Sequence, residues 1–217
     1  MEELAVIDAV AAEAEERLSG EGSGHDWWHT YRVWKMAERI GREEGANLLV
    51  VGLAALLHDI ADWKFHGGDD TVGPRVAAEI MKKHGVPEDT IAHVCTIIAT
   101  SSFKAAGVPS EMATVEGKAV QDADRLDAIG AIGIARTFAY GGHKGRLLHE
   151  PGTKPILHAS KDEYARNASP TINHFYEKLL LLKDLMNTDT ARAIAEERHK
   201  FMEDYLGRFF KEWDGQP

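Results

Sequence analysis

The sequence carries one cysteine, Cys95, and a single thiol cannot close an internal disulfide. It lies in the apolar stretch 91–99, where a lone thiol behaves as a small hydrophobe. Basic charge is also scarce: 25 Lys and Arg stand against 35 Asp and Glu, for a net charge of −10. Proteins that grip duplex nucleic acid neutralise its phosphates with a basic stripe. No such stripe is present, so duplex nucleic acid is not an expected partner. Any phosphate handled here is expected on a small molecule, with a metal supplying positive charge. Long apolar runs are missing as well. The longest, Leu48 to Leu57, has ten residues, against about 20 for a membrane span. The N-terminal stretch MEELAVIDAVAAEAEERL is acidic and amphipathic, the wrong charge for a secretory signal, so the expected address is cytoplasmic. Alternating β patterns, internal repeats and low-complexity linkers are lacking too.

What is present reads as helix. A hydrophobic fraction of 44% with 28% charged residues describes a folded chain, and 217 residues suffice for a sizeable core. Helical periodicity predicts helices over 3–18, 27–45, 72–84 and 88–100. Asn47 is the expected cap of an apolar helix 48–60, and Gly85 with Pro87 ends the helix before them. Pro109-Ser110 opens a helix to about 123, followed by another over 124–140. The glycine-rich segment 141–160 reads as a loop, and helices 161–187, with a candidate break near Pro170, and 189–212 close the chain. The expected architecture is all-α: one helical domain over 1–217, its core at about 20–140, with C-terminal helices of about 160–213 packed on it. Trp34, Leu179 to Leu182, Phe201, Phe209 and Phe210 are expected in the core or on a homodimer face.

Chemistry concentrates in three places: His29 in GHDWWHTYRV, His58-Asp59 in AALLHDIADWK, and Asp124 in VQDADRLDAIG. Two imidazoles and two carboxylates make a mixed nitrogen and oxygen set. It suits Mn, Fe, Co, Ni or Zn better than Mg alone. A charged pair at the end of a buried helix is costly unless paired or metal-bound, but solvent at the helix end serves equally well. His29 can equally be a packed histidine beside Trp27 and Trp28. Spacing does not choose among Asp122, Asp124 and Asp127.

The ordered pattern H…HD…D, with H-x-x-R-V around the first histidine and D-A-D-R-L-D-A around the last aspartate, resembles the HD-domain phosphohydrolase superfamily. The resemblance is closest to bacterial HD hydrolases of about this length. It continues through GGHKGRLLHEP and HFYEKLLLLKDLMNT, nearly the whole chain. It implies an all-α bundle with one divalent metal, manganese foremost, held by His29, His58, Asp59 and Asp124. Asp62 falls where related hydrolases carry an acidic catalytic residue. Many members have Glu there, and the shorter Asp reaches less far.

The implied reaction is hydrolysis of (deoxy)nucleoside triphosphates by metal-activated water, with Asp62 orienting or deprotonating that water. Charge on the phosphoryl oxygens calls for cations. Arg32, three residues after His29, and Lys64 are candidates, as are Lys144 and Arg146 in GGHKGR. Arg125 is expected to support the Asp124 segment. His84 and His93 fall in the interval where binuclear relatives add ligands, and His25 and His143 are candidate pocket residues; a structural role is the expectation for all four. The alternatives are a 5′-nucleotidase or phosphodiesterase on the same site, and a non-catalytic nucleotide-binding or signalling module.

Overall fold

The structure, a computed structural model, describes residues 2–20, 26–61, 69, 71–101, 112–157 and 169–217. All its regular elements among these residues are helices. The chain divides into two compact units, Met1–Phe103 with Pro109–Asp124, and Lys104–Val108 with Arg125–Pro217.

In the first unit, α1 (Glu2–Leu18), α2 (Trp27–Glu43) and α5 (Glu88–Ser101) pack against α3 (Leu48–Leu57), while α4 (Val72–Lys83) packs on α5. Helix α3 is apolar all round, so it is buried all round: residues 50–57 are all inaccessible. Asn47 caps it as expected, its side chain accepting from Leu49 and Val50 N–H. A glycine inside a helix costs about 0.5–1 kcal/mol relative to alanine. At Gly52 it permits close approach, since a Cβ there would stand 3.2 Å from Ile7 Cδ1 and 3.6 Å from Trp34 Nε1. Helix α4 ends at Gly85, which has φ +72°. Cys95 Sγ faces the Pro74 carbonyl at 3.2 Å, and burial pushes its thiol pKa up, so it packs rather than reacts.

Helix α6 (Val115–Asp127) carries Asp124 near its end, where the first unit stops. The expected break between residues 123 and 124 is therefore misplaced. The helix runs on to Asp127, and α7 (Gly130–His143) begins after a turn over 128–129, its first residue Gly130 having φ +76°. Helix α6 runs through three aspartates, and its surroundings accommodate two of them. Asp122 is fully buried, and Asp127 holds Arg136 at 2.7 Å.

The second unit packs α7 and a 3₁₀ helix (Leu179–Leu185) on the long α9 (Asp189–Trp213), with the short α8 (Asn173–Glu177) beside the 3₁₀ segment. Thr188 caps α9 through the Ala191 N–H. The expected helix over 161–187, with its break near Pro170, is corrected within 169–187. Lys178 leaves helical backbone at φ −143°, and the leucine run becomes 3₁₀. Leu179 and Leu182, three apart, are the pair it buries, as a three-residue turn requires. Phe201, expected in the core or on a homodimer face, is 51% exposed, so it is not core. Burial, with Lys178 and Arg146 adding repulsion, pushes the His174 imidazole down to about 3.

Candidate metal centre

Four of the expected site residues come together in the first unit. Asp26 caps α2 by accepting the His29 N–H at 2.9 Å, which fixes the first turn of α2 and His29 within it. The His29 side chain is fully buried. His58 is the C-cap of α3, which ends at Leu57 rather than running to residue 60, so His58 and Asp59 stand in the turn that follows it. His58 Nδ1 lies 2.8 Å from the Ala55 carbonyl. That oxygen can only accept, so Nδ1 carries the proton and Nε2 presents a lone pair. This backbone-anchored imidazole is the arrangement metal-ligating histidines use.

The free ends converge. His58 Nε2 stands 3.3 Å from His29 Nε2, and Asp59 Oδ2 is 3.4 Å from both nitrogens. Asp124 Oδ1 lies 3.5 Å from His29 Nε2. Donors bonded at about 2.1 Å to one cation would stand about 3.0 Å apart at right angles and about 3.4 Å apart at tetrahedral angles. The observed separations match that range, and two carboxylates with two imidazoles are a chemically suitable donor set. One donor atom each from His29, His58 and Asp59 fits within 4.8 Å, so this cluster can hold a metal ion. Asp59 is 19% and Asp124 38% exposed, leaving the carboxylate side accessible while the imidazoles are enclosed.

The remaining candidates fall elsewhere. Arg32 is on α2, half-buried, one turn beyond His29. Asp62, Lys64 and His25 lie outside the described residues. Lys144 and Arg146 belong to the second unit, each 5.6 Å from the Tyr140 ring. His143 ends α7 and is exposed. Arg125 donates to the Leu185 carbonyl, bonding to backbone. His84 bonds Glu13 at 2.9 Å, and His93 bonds Thr114 Oγ1 at 3.0 Å. Neither joins the metal-competent group, the one such group among the described residues. Sequence reasoning missed Asp26 and Ala55, which position the two histidines. The Asp three residues before His29 was a visible cap signal; the Ala55 carbonyl left none.

Comparison with known proteins agrees with this geometry. The HD-domain family model matches residues 27–129, the stretch that contains all four clustered residues. YpgQ of Bacillus subtilis is 42% identical over 218 residues, covering 99% of this chain and 97% of YpgQ. Its structure in complex with ADP superposes with TM-score 0.75 at 38% identity, covering 95% of this chain and 97% of that one. An HD-superfamily hydrolase from Bacillus thuringiensis is 43% identical with TM-score 0.78, covering 99% and 100% of the two chains. A Lactobacillus plantarum protein gives TM-score 0.85 at 37% identity, covering 97% of each chain. The chain belongs to the HD-domain superfamily of metal-dependent phosphohydrolases.

Proposed function

We propose that the protein hydrolyses nucleotides, (deoxy)nucleoside triphosphates foremost, at a single divalent cation held by His29, His58, Asp59 and Asp124. The observation that supports this most is the convergence of the two Nε2 atoms with the Asp59 and Asp124 oxygens at 3.3–3.5 Å. The ADP complex of YpgQ supports a nucleotide as the ligand class. A bound cation polarises a phosphate oxygen and makes water a better nucleophile near neutral pH. The proposed ion is Mn, with Fe, Co, Ni, Zn and Mg as alternatives; mixed imidazole and carboxylate donors suit the transition metals among them better than Mg.

The protein's own groups do the rest. His58 is held in its lone-pair-forward tautomer by Ala55, and the capped start of α2 fixes the backbone from which His29 projects. Asp62, four residues past His58, takes the proton of the attacking water. Arg32, Lys64, Lys144 and Arg146 offset charge on the phosphoryl oxygens. His84 and His93 are engaged elsewhere, which favours one ion over two.

The test is release of pyrophosphate and phosphate from a panel of (d)NTPs, (d)NMPs and cyclic dinucleotides with Mn, Co, Ni, Mg or chelator. Metal-dependent pyrophosphate release from triphosphates, lost in Asp59→Ala, is the expected result. Phosphate release confined to (d)NMPs would replace this reading with a nucleotidase.

A further inference from the structure

Helix α2 carries a feature that metal binding does not use. Tryptophan is highly buried on average, yet Trp28, the residue before His29, is 59% exposed. It is not a loose side chain. Its ring meets Tyr31 edge-on at 6.0 Å, and Tyr31 is braced in turn by the largely buried Trp27 at 6.1 Å and Trp34 at 6.2 Å. Trp28 is thus the outer plate of an edge-to-face aromatic cluster, joined through the part-exposed Tyr31 to the core residues Trp27 and Trp34.

Its position on the helix gives the plate a direction. Residues three and four apart share a helical face. Arg32 is four residues from Trp28 and three from His29, so around the α2 axis it falls between the two. Going round the helix from the buried to the exposed side, the order is metal-ligand imidazole, guanidinium, indole. Cation, phosphate-pairing charge and flat π-surface are the three chemistries that a nucleotide presents in reverse, from phosphates to base. The neighbouring side chain Lys35 reaches over the Trp34 ring at 3.5 Å and pairs with Glu38 at 3.4 Å. The surface beside the plate is therefore charged rather than an extended apolar patch, which suits a single planar ring better than a protein face.

We infer that Trp28, backed by Tyr31, is the platform on which the base of the nucleotide stacks. This rests on the nucleotide reading above and names the group that recognises the base. Stacking accepts any π-face, so the platform predicts tolerance among bases rather than selection of one.

The first measurement is equilibrium binding to the intact chain, read by tryptophan fluorescence and thermal shift, with nucleoside monophosphates of four bases and ribose 5-phosphate as the base-free control. The wild type is expected to bind the nucleotides more tightly than the control, and Trp28→Ala to lose about tenfold on nucleotides, while Trp28→Phe retains most of the difference. This arm needs no turnover, so it stands if the hydrolytic reading fails. In kinetics, the loss of kcat/KM in Trp28→Ala on a nucleoside triphosphate is expected to exceed that on inorganic tripolyphosphate by about tenfold, mostly through KM. Equal affinity of the wild type for nucleotides and ribose 5-phosphate would overturn the inference. So would equal losses in Trp28→Ala on both substrates, or a changed oligomeric state of that variant, which would make the plate an interface between copies.

Discussion

Two clusters in the first unit both set histidine beside a carboxylate and behave differently. At the junction of α1 and α4, Glu13 receives Arg17 at 2.8 Å, Lys83 at 2.9 Å and His84 at 2.9 Å. At the ends of α2, α3 and α6, two imidazoles meet two carboxylates across 3.3–3.5 Å. Glu13 is surrounded by donors: the Lys83 ammonium foremost, then His84 and Arg17, hold its carboxyl down at about 2 against burial that opposes them. The second cluster gathers two imidazoles and two carboxylates, with the His58 Nδ1–H turned away to Ala55 so that its Nε2 lone pair faces inward. Such a set gains most from a cation that all four atoms can share. The difference lies in what the histidine hydrogen-bonds, not in the presence of histidine beside acid.

The largest expected effect separates the clusters outright. Asp59→Ala should lower metal affinity and turnover by at least about 100-fold, more than loss of an outer partner usually costs. Circular dichroism should remain helical, because Asp59 follows α3 rather than packing inside it. Isothermal titration with Mn measures the affinity. Glu13→Gln, by contrast, should bind metal as the wild type does. If the two variants lost metal equally, the distinction drawn here would collapse.

Metal added to the folded chain gives the next effect. A ligand at about 100 times its Kd stabilises by about 2.7 kcal/mol, which for a chain of this size raises Tm by about 5–10 °C. Differential scanning fluorimetry should show that rise in the wild type and in Glu13→Gln, and chelator should reverse it. Asp59→Ala should show none.

The contrast between the clusters also marks what sequence could and could not reveal. The α3 core helix was legible because ten consecutive apolar residues admit no exposed face, and Asn47 announced its start. The site residues His29, His58, Asp59 and Asp124 were legible through their order and flanks; spacing alone left Asp122 and Asp127 as rivals of Asp124. Asp122 is fully buried and Asp127 is paired with Arg136, partners that arise from packing and that no local pattern encodes. The same holds for the helix end at Asp127. In the second unit, four successive leucines suit either an α or a 3₁₀ turn. Irregular backbone at Ile156 and Thr153, bonded by the buried side chains of Glu177 and Asn173, accompanies the shorter, tighter form. His84 illustrates the limit best: its partner Glu13 is 71 residues away.

A smaller effect belongs to the Glu13 cluster. Glu13→Gln keeps the shape but loses the charge, and with Lys83 largely exposed the cost should be about 1 kcal/mol, or about 2–4 °C in Tm. The pH dependence has a definite sign. A carboxyl at about 2 in the folded chain against an ordinary 4.5 contributes stability that is complete above pH 4.5 and is lost as pH falls through about 2. Urea unfolding between pH 5 and 2 should therefore fall less steeply for Glu13→Gln than for the wild type. Parallel curves would mean that Glu13 is no better solvated by its three partners than by water.

The smallest expected effect tests the count of metal ions. His93 lies between the HD pair and Asp124 in sequence, where a second ion would recruit ligands, but its Nε2 bonds Thr114 at 3.0 Å and approaches Glu116 at 3.8 Å. Glu116 in turn accepts the Asn47 N–H at 3.0 Å, at the start of α3. His93 thus belongs to the far end of α3 from His58, and ten residues of helix at about 1.5 Å each separate the two ends. That span is several times a ligand's reach, so His93 cannot share an ion with His58. His93→Ala should leave metal stoichiometry at one and cost about 1 kcal/mol or less, the worth of one partly exposed hydrogen bond. Metal analysis by mass spectrometry of the loaded variant decides it: a wild type carrying two ions and a variant carrying one would show that the α3 N-terminal cluster is a second metal site after all.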